Sequence, residues 1–211
     1  MSRAPRDPRA RSGAARGSQP PQSVPTLSTE RLLLTLPDPA AAPAHLLFAE
    51  ANRAHLTPWE PPYPPNYYTL GFWRERLRKN LIELHKDISC RFTIYWQGDA
   101  SGAVLGNCNF SNFVFGAFRC ATLGYRLDHR LVGQGVMTEA LSIAIAYMFH
   151  ERGFHRIQAN YRPTNERSGN VLRRLGFVVE GYARDYLFID GDWRDHVLTS
   201  LTNPKMRRLP E

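Results

Sequence analysis

The chain has 211 residues, 43% hydrophobic, 11% aromatic and 22% charged, which is enough apolar mass to bury the core of one globular domain. No apolar run approaches the roughly 18 residues of a membrane span, and the N-terminus lacks the apolar segment of a secretory signal, so a cytoplasmic protein with no membrane partner is expected. The net charge of +8 gathers at the ends: Arg3, Arg6, Arg9, Arg11 and Arg16 face only Asp7, and Lys205, Arg207 and Arg208 face Glu211. Such tails either hold RNA through salt-sensitive contacts or stand as solvated extensions. Cys90, Cys108 and Cys120 are too few and too scattered for a disulfide scaffold or a zinc site, and they read as core or strand residues.

Residues 1–25 carry almost no large apolar side chains and many Pro, Gly, Ser and Arg, so disorder is expected there, followed by one domain over 26–204 and a short basic tail over 205–211. "ERLLLTLP" reads as a strand, and the stretch from Asp38 to Leu56 as a helix with Asp38 as N-cap and Pro39 in its first position. The proline-rich residues 57–68 form a loop that presents Trp59, Tyr63, Tyr67 and Tyr68, either as a lid on the core or as a wall of a substrate pocket. A helix follows at "LGFWRERLRKNLIELHKD", then strands at "CRFTIYWQ" and "AVLGNCNFSNFVF" joined by the turn "GDASG", then a strand over 120–128 interrupted by Gly124. From Gly135 onward Val136, Met137, Ala140, Leu141, Ala144, Ile145 and Met148 recur at helical spacing. "RIQANYR" is a strand, "NERSGNVLRRLG" a short helix closed by Gly176, and "FVVEGYARDYLFI" and "DHVLTSLT" two strands across "DGDW". The mixture lacks strict βαβ alternation, which points to an α+β fold with a largely antiparallel sheet.

Gly133 and Gly135 stand directly before a helix, where unpaired N–H groups and the helix dipole favour an anion. A P-loop is excluded, since no Gly-Lys-Ser/Thr ending follows. A dinucleotide fingerprint is excluded too, because Thr138 stands where a third glycine belongs and the next strand ends without an acidic residue. Coenzyme A remains, and it needs no metal. In this stretch the chain resembles the GNAT acetyltransferases, whose phosphate loop follows the pattern Q/RxxGxG/A. The literal match runs from Arg130 to Gly133 and Gly135; a second register, better supported by the ribosomal-protein-alanine branch, puts Val132, Gly135 and Met137 at the pattern positions. "NRAHLTPWEP", "GNCNFSN", "LGYRL", "NERSGNVLRRLGF" and "DYLFIDGDWRDHVLTSL" extend the resemblance over residues 28–204.

The resemblance implies a GNAT fold, with about seven strands in a mixed, mostly antiparallel sheet flanked by about four helices. It also implies acetyl transfer from acetyl-CoA to the N-terminal amine of a protein, with a ribosomal alanine as acceptor. Gly124, Leu127, Val132, Gly133, Gln134, Gly135, Val136, Met137 and Asn165 would hold the cosubstrate. Tyr125 would lie at the thioester, and Ser168 is suited to protonate the leaving thiolate. A free α-amine has a pKa near about 8, so no strong base is required. Leu187 replaces the glutamate that serves a relative as base; Glu139, Asp185, Tyr182, Tyr186, His155 and His196 read as structural. A small-amine acetyltransferase and an RNA-associated protein of the same fold are the competing readings, and the sequence leaves monomer and homodimer equally open.

Overall fold

The computed structural model describes residues 24–99 and 102–208. The N-terminal tail expected over 1–25 therefore lies outside the described residues, apart from Val24 and Pro25, as do the middle of the "GDASG" turn and the last three residues of the chain.

Strands β1 (Thr26–Ser28) and β2 (Leu32–Thr35) form an antiparallel pair at one edge of the sheet. A 3-10 turn, Pro39–Ala41, leads into α1 (Ala42–Ala51) and the short α2 (Arg53–Leu56); α3 (Leu70–His85) follows the proline-rich loop. Next come β3 (Cys90–Trp96), β4 (Gly106–Val114), β5 (Cys120–Leu127), α4 (Val136–His150) and β6 (Arg156–Tyr161). The chain closes with α5 (Glu166–Arg174), β7 (Val178–Ile189) and β8 (Asp192–Thr202). The strand order is β1-β2-β3-β4-β5-β6-β8-β7, antiparallel throughout except for β5 beside β6.

This is the α+β architecture expected, with eight strands among the described residues instead of about seven and five helices instead of about four. The extra strand, β1, is three residues long, too short for an alternating pattern to reveal. The extra helix arises because the segment read as one helix breaks at Asn52. Its side chain bonds back to the Phe48 carbonyl at 3.0 Å, and its amide oxygen accepts the His129 N–H at 2.8 Å. Asp38 does cap as expected, accepting the Ala40 N–H at 2.8 Å, although the first turn is 3-10. The last hairpin turns on Asp190 and Gly191 alone, both at positive φ, so β8 starts three residues earlier than the sequence reading placed it.

Successive side chains on β3, β4 and β5 alternate between the sheet's two faces. Phe92, Ile94, Cys108, Phe110 and Leu123 join Val136, Leu141 and Met148 of α4 in the main core. On the other face lie α1 and α3, where Trp73, Leu77, Ala42 and Tyr67 make a smaller cluster. The three cysteines are buried and free; burial pushes the Cys90 thiol up to about 12, so it stays protonated. Among the described residues no helix is long and apolar enough to cross a membrane.

Gly106 opens β4 opposite Leu127, and a Cβ there would stand 2.3 Å from the Arg126 carbonyl oxygen, a backbone atom that cannot swing aside. Gly106→Ala is expected to cost about 2 kcal/mol by forcing β4 and β5 apart, read as a lower urea midpoint.

Candidate active site

Pairing between β5 and β6 covers only Cys120 with Arg156, Ala121 with Ile157 and Thr122 with Gln158. Beyond that, β5 runs on to Leu127 against β4, and β6 runs on to Tyr161 against β8, with no ladder between them. Main-chain donors and acceptors of β5 from Leu123 onward therefore border a gap inside the sheet. Gly124 leaves one side of this gap open, since a Cβ on it would meet nothing within 4 Å.

Tyr125 points to the opposite face and reaches α5. Its hydroxyl lies 2.7 Å from Ser168 Oγ and 3.1 Å from the Ser168 carbonyl oxygen. Both contacts are satisfied when the phenol donates to the carbonyl and the serine hydroxyl donates to the phenol oxygen. Burial pushes the Tyr125 phenol up to about 12, the Ser168 hydrogen bond opposing it, so the ring is a proton donor at neutral pH. Asn165 caps α5 by accepting the Ser168 N–H at 3.2 Å, which orients that serine. Tyr161 packs on the same helix, where Gly169 admits its ring: a Cβ would stand 2.8 Å from it.

The segment after β5 is fixed by Asp128, whose carboxylate accepts the Arg130 N–H at 2.9 Å, Arg130 Nε at 2.9 Å and Asn52 Nδ2 at 3.3 Å. These bonds, Arg130's foremost, hold the Asp128 carboxyl far below the usual carboxylate range. Gln134 clasps the turn through its amide to the Arg130 carbonyl at 2.8 Å. Gly133 and Gly135 take φ of +85° and +76°, left-handed conformations that glycine tolerates, and no side chain caps α4. Among the described residues the N–H groups of Gly135, Val136, Met137 and Thr138 have no acceptor, Glu139 being the first to bond back, to the Gly135 carbonyl. The Val136 and Met137 side chains are buried in the core and Val132 is half-buried, so Val136 and Met137 offer only main chain to a ligand. Leu127 packs against the same core at the end of β5.

Arg31, between β1 and β2, adds a cation here. Its Nη2 is 3.8 Å from where a Gly135 Cβ would lie, and it pairs with Glu139 at 2.5 Å while Thr29 donates to the same carboxylate. Burial alone would raise the Glu139 carboxyl, but Thr29 and Arg31 outweigh it and hold it low. Free N–H groups, missing side chains and a guanidinium together suit an anion of diphosphate size.

The sheet face under α1 and α3 is polar where an apolar one would be the norm. Two rows cross it in register, Arg91-Asn109-Gly124 and Thr93-Asn107-Arg126. Arg126 is mostly buried; it donates to Asn107 Oδ1, to the Tyr67 hydroxyl at 2.7 Å and to Glu60 at 3.2 Å. Burial by itself would disfavour this cation, yet Glu60 and the tyrosines outweigh the penalty and raise its pKa. A cavity of about 270 Å³ lies above these rows, and a wider recess of about 450 Å³ opens between the proline-rich loop and the Asp190-Gly191 turn. The loop's aromatic rings are not uniformly presented to solvent as expected. Tyr67 is 5% exposed and stacks on Tyr63 with centroids 3.9 Å apart, so the loop is both lid and wall.

The structure thus joins Tyr125, Ser168 and Asn165 directly, and packs α4 beside α5, so the glycine loop shares a face with them. Sequence reading missed Glu60 and Arg126. Of the remaining polar residues, Tyr182 donates to Asp195 at 2.6 Å, Tyr186 accepts from Asn160, the Asp185 N–H bonds Asp195, and His196 is buried against the Arg194 carbonyl, whereas the buried His155 Nδ1 has no hydrogen-bond partner among the described residues.

This arrangement, a splayed parallel pair beside a glycine loop that opens a helix, is that of an acetyltransferase. The acetyltransferase (GNAT) domain family matches residues 31–178, and the chain belongs to that family. It is 44% identical over 178 residues to the [ribosomal protein uS5]-alanine N-acetyltransferase of Escherichia coli K12, spanning 84% of this chain and 91% of that one. Among solved structures, the ribosomal-protein-S5-alanine acetyltransferase of Vibrio fischeri superimposes with a TM-score of 0.80 at 35% identity, over 87% of this chain and 99% of its own. RimJ of Mycobacterium smegmatis, in complex with CoA-disulfide, gives 0.79 at 28% identity, over 90% and 91%.

His45, 2% exposed on the cavity wall, is lowered to about 4 by burial and by Arg126, so the folded protein holds it neutral. The unfolded chain protonates it near 6.5. Stability should therefore fall as pH drops from about 6.5 to about 4, by up to roughly 1.4 kcal/mol per pH unit, with Asp128 adding a separate loss only below its ordinary 3.8. Urea midpoints measured across this range should show the slope, and His45→Gln should reduce it, with His55 and His196, also lowered by burial, accounting for what remains.

Proposed function

We propose that this acetyltransferase acetylates the N-terminal α-amino group of a protein, namely the N-terminal alanine of a small-subunit ribosomal protein. What carries the reading is the likeness to the E. coli uS5-alanine enzyme over most of both chains, joined to a gap in the sheet of the kind direct acyl transfer requires. Acetyl-CoA, as cosubstrate, supplies an activated acyl carbon and a thiol leaving group.

In this reading the main chain of residues 132–137 holds the diphosphate, with Arg31 as a flanking cation. The free edge of β5 from Gly124 to Leu127 binds the amide-bearing arm, and its N–H groups polarise the acyl carbonyl. Asn165 sets the start of α5 and so the position of Ser168. The acceptor amine, neutral in appreciable fraction near its pKa of about 8, needs placement more than a strong base. As the nitrogen–carbon bond forms and the carbon–sulfur bond breaks, the departing sulfur takes a proton from the Tyr125–Ser168 pair, the proton shed by the amine passes to solvent, and solvent returns one proton to the pair. Glu60 and Glu139, each bound in an ion pair, keep the loop and the helix in place. The exposed Lys205, Arg207 and Arg208 give the protein a cationic end suited to a ribosomal surface.

Incubation with acetyl-CoA and an alanine-initiated ribosomal peptide, beside a panel of small amines, tests the acceptor class; the peptide should be acetylated at its α-amine and the small amines left unmodified. Acetylation of the amines alone would overturn the reading. Tyr125→Phe should lower kcat about 100-fold with little change in acetyl-CoA binding. Ser168→Ala should also lower kcat, and full turnover in that variant would remove the serine from the proton path.

A further inference from the structure

The cavity of about 270 Å³ under α3 is walled by three arginines, Arg76, Arg91 and Arg126. Two have carboxylates of their own. Arg91 pairs with Glu83 at 3.4 Å, and Arg126 with Glu60 at 3.2 Å. Arg76 comes from the inward side of α3, one turn from Trp73 and Asn80, and among the described residues it has neither an ion pair nor a hydrogen bond. Burial and the nearby Arg91 both disfavour its charge, and Glu83, whose carboxylate is already bonded to Ser89 and Arg91, offsets them only in part, so a half-buried cation stands there without a carboxylate of its own. Three more residues of the wall carry a buried polar atom without a partner: His45 Nδ1, Trp73 Nε1 and Asn80 Oδ1. Of these the Trp73 indole N–H is a donor, His45 Nδ1 is one in the tautomer that carries its proton there, and the Asn80 oxygen is an acceptor; the donors, set beside the Arg76 cation, mark a place for a polar, negatively charged group.

The register of the sheet says how that group arrives. Arg91, Asn109 and Gly124 lie in one cross-strand row, so Asn109, on the cavity wall, stands next to the bare backbone of Gly124 at the gap. Two strand spacings separate Gly124 from Arg91, roughly 10 Å, a span that an extended peptide covers in about three residues. The glycine loop and α5 lie on the opposite face, so the diphosphate site does not compete for this cavity.

We propose that this cavity is an acceptor subsite for an acidic side chain, taking the carboxylate of an Asp or Glu at position two, three or four of the substrate protein, with Arg76 as its charge partner. The inference rests on the reading of the enzyme as a protein N-terminal acetyltransferase.

The test uses the full chain and alanine-initiated peptides in which one Glu is moved through positions two to four, each matched by a Gln peptide. At one position kcat/KM for Glu should exceed that for Gln by about tenfold, the size expected of one charge-assisted contact. The ratio should fall toward one in Arg76→Gln and recover in part in Arg76→Lys. Because each variant is judged by its own Glu-to-Gln ratio, a loss of folded protein cancels. Wild-type ratios near one at every position, with the Gln peptides still acetylated, overturn the subsite and leave the proposed function standing; no acetylation of any peptide overturns both. Inorganic phosphate and glutarate form the second arm: competition against the Glu peptide alone supports a side-chain subsite, whereas equal inhibition of both peptides assigns the cavity to a free anion and overturns the proposal.

Discussion

Everything functional in this molecule depends on a parallel strand pair that stops early. A sheet ordinarily satisfies each strand's N–H and C=O groups through its neighbours, and an unsatisfied edge within a sheet is costly. Here β5 and β6 are joined for three residue pairs and then part, each held on its far side by a long antiparallel partner. The half-bonded β5 edge is stable only with water or a ligand whose own amides can take the place of the missing strand. Gly124 keeps that edge open on one face, and Tyr125, tied to Ser168, fills the other.

The two faces of the sheet do different work because they have different chemistry. The α4 face is a dense apolar core, which leaves only main chain at the glycine loop to meet an anion. The α1 and α3 face carries arginines and asparagines under a proline-stiffened aromatic loop, and Glu60 reaches in from that loop to neutralise Arg126. Removing either member would leave a buried charge unpaired, at a cost of about 3 to 5 kcal/mol. The loop is thereby anchored to the strand that lines the gap, and acceptor-side shape is coupled to the sheet through one ion pair.

Much of this was legible in the residues. The helical periodicity after Gly135 fixed the start of α4 to within a residue, Asn165 and Gly176 bracketed α5, and the two glycines marked the turn that positive φ now explains. What was not legible depended on contacts far apart in sequence. The alternation in "RFTIY" and "NCNFSN" is visible, but alternation normally means that the polar side faces water. Nothing local says that α3 covers it, that Arg126 is buried with Glu60, or that Tyr67 stacks inward. The break at Asn52 was hidden for the same reason, since that residue's work is done on Asp128 and His129. Strand β1 was missed because three residues carry too little pattern.

The tie from Thr29 and Arg31 to Glu139 bridges some 110 positions of the chain. Closing so long a loop has an entropic cost that only late contacts offset. During translation, at about 5 to 20 residues per second, the first strands emerge roughly ten seconds before the helix that locks them. The anion-holding corner therefore cannot set until Glu139 has emerged, long after the strands it fastens were made.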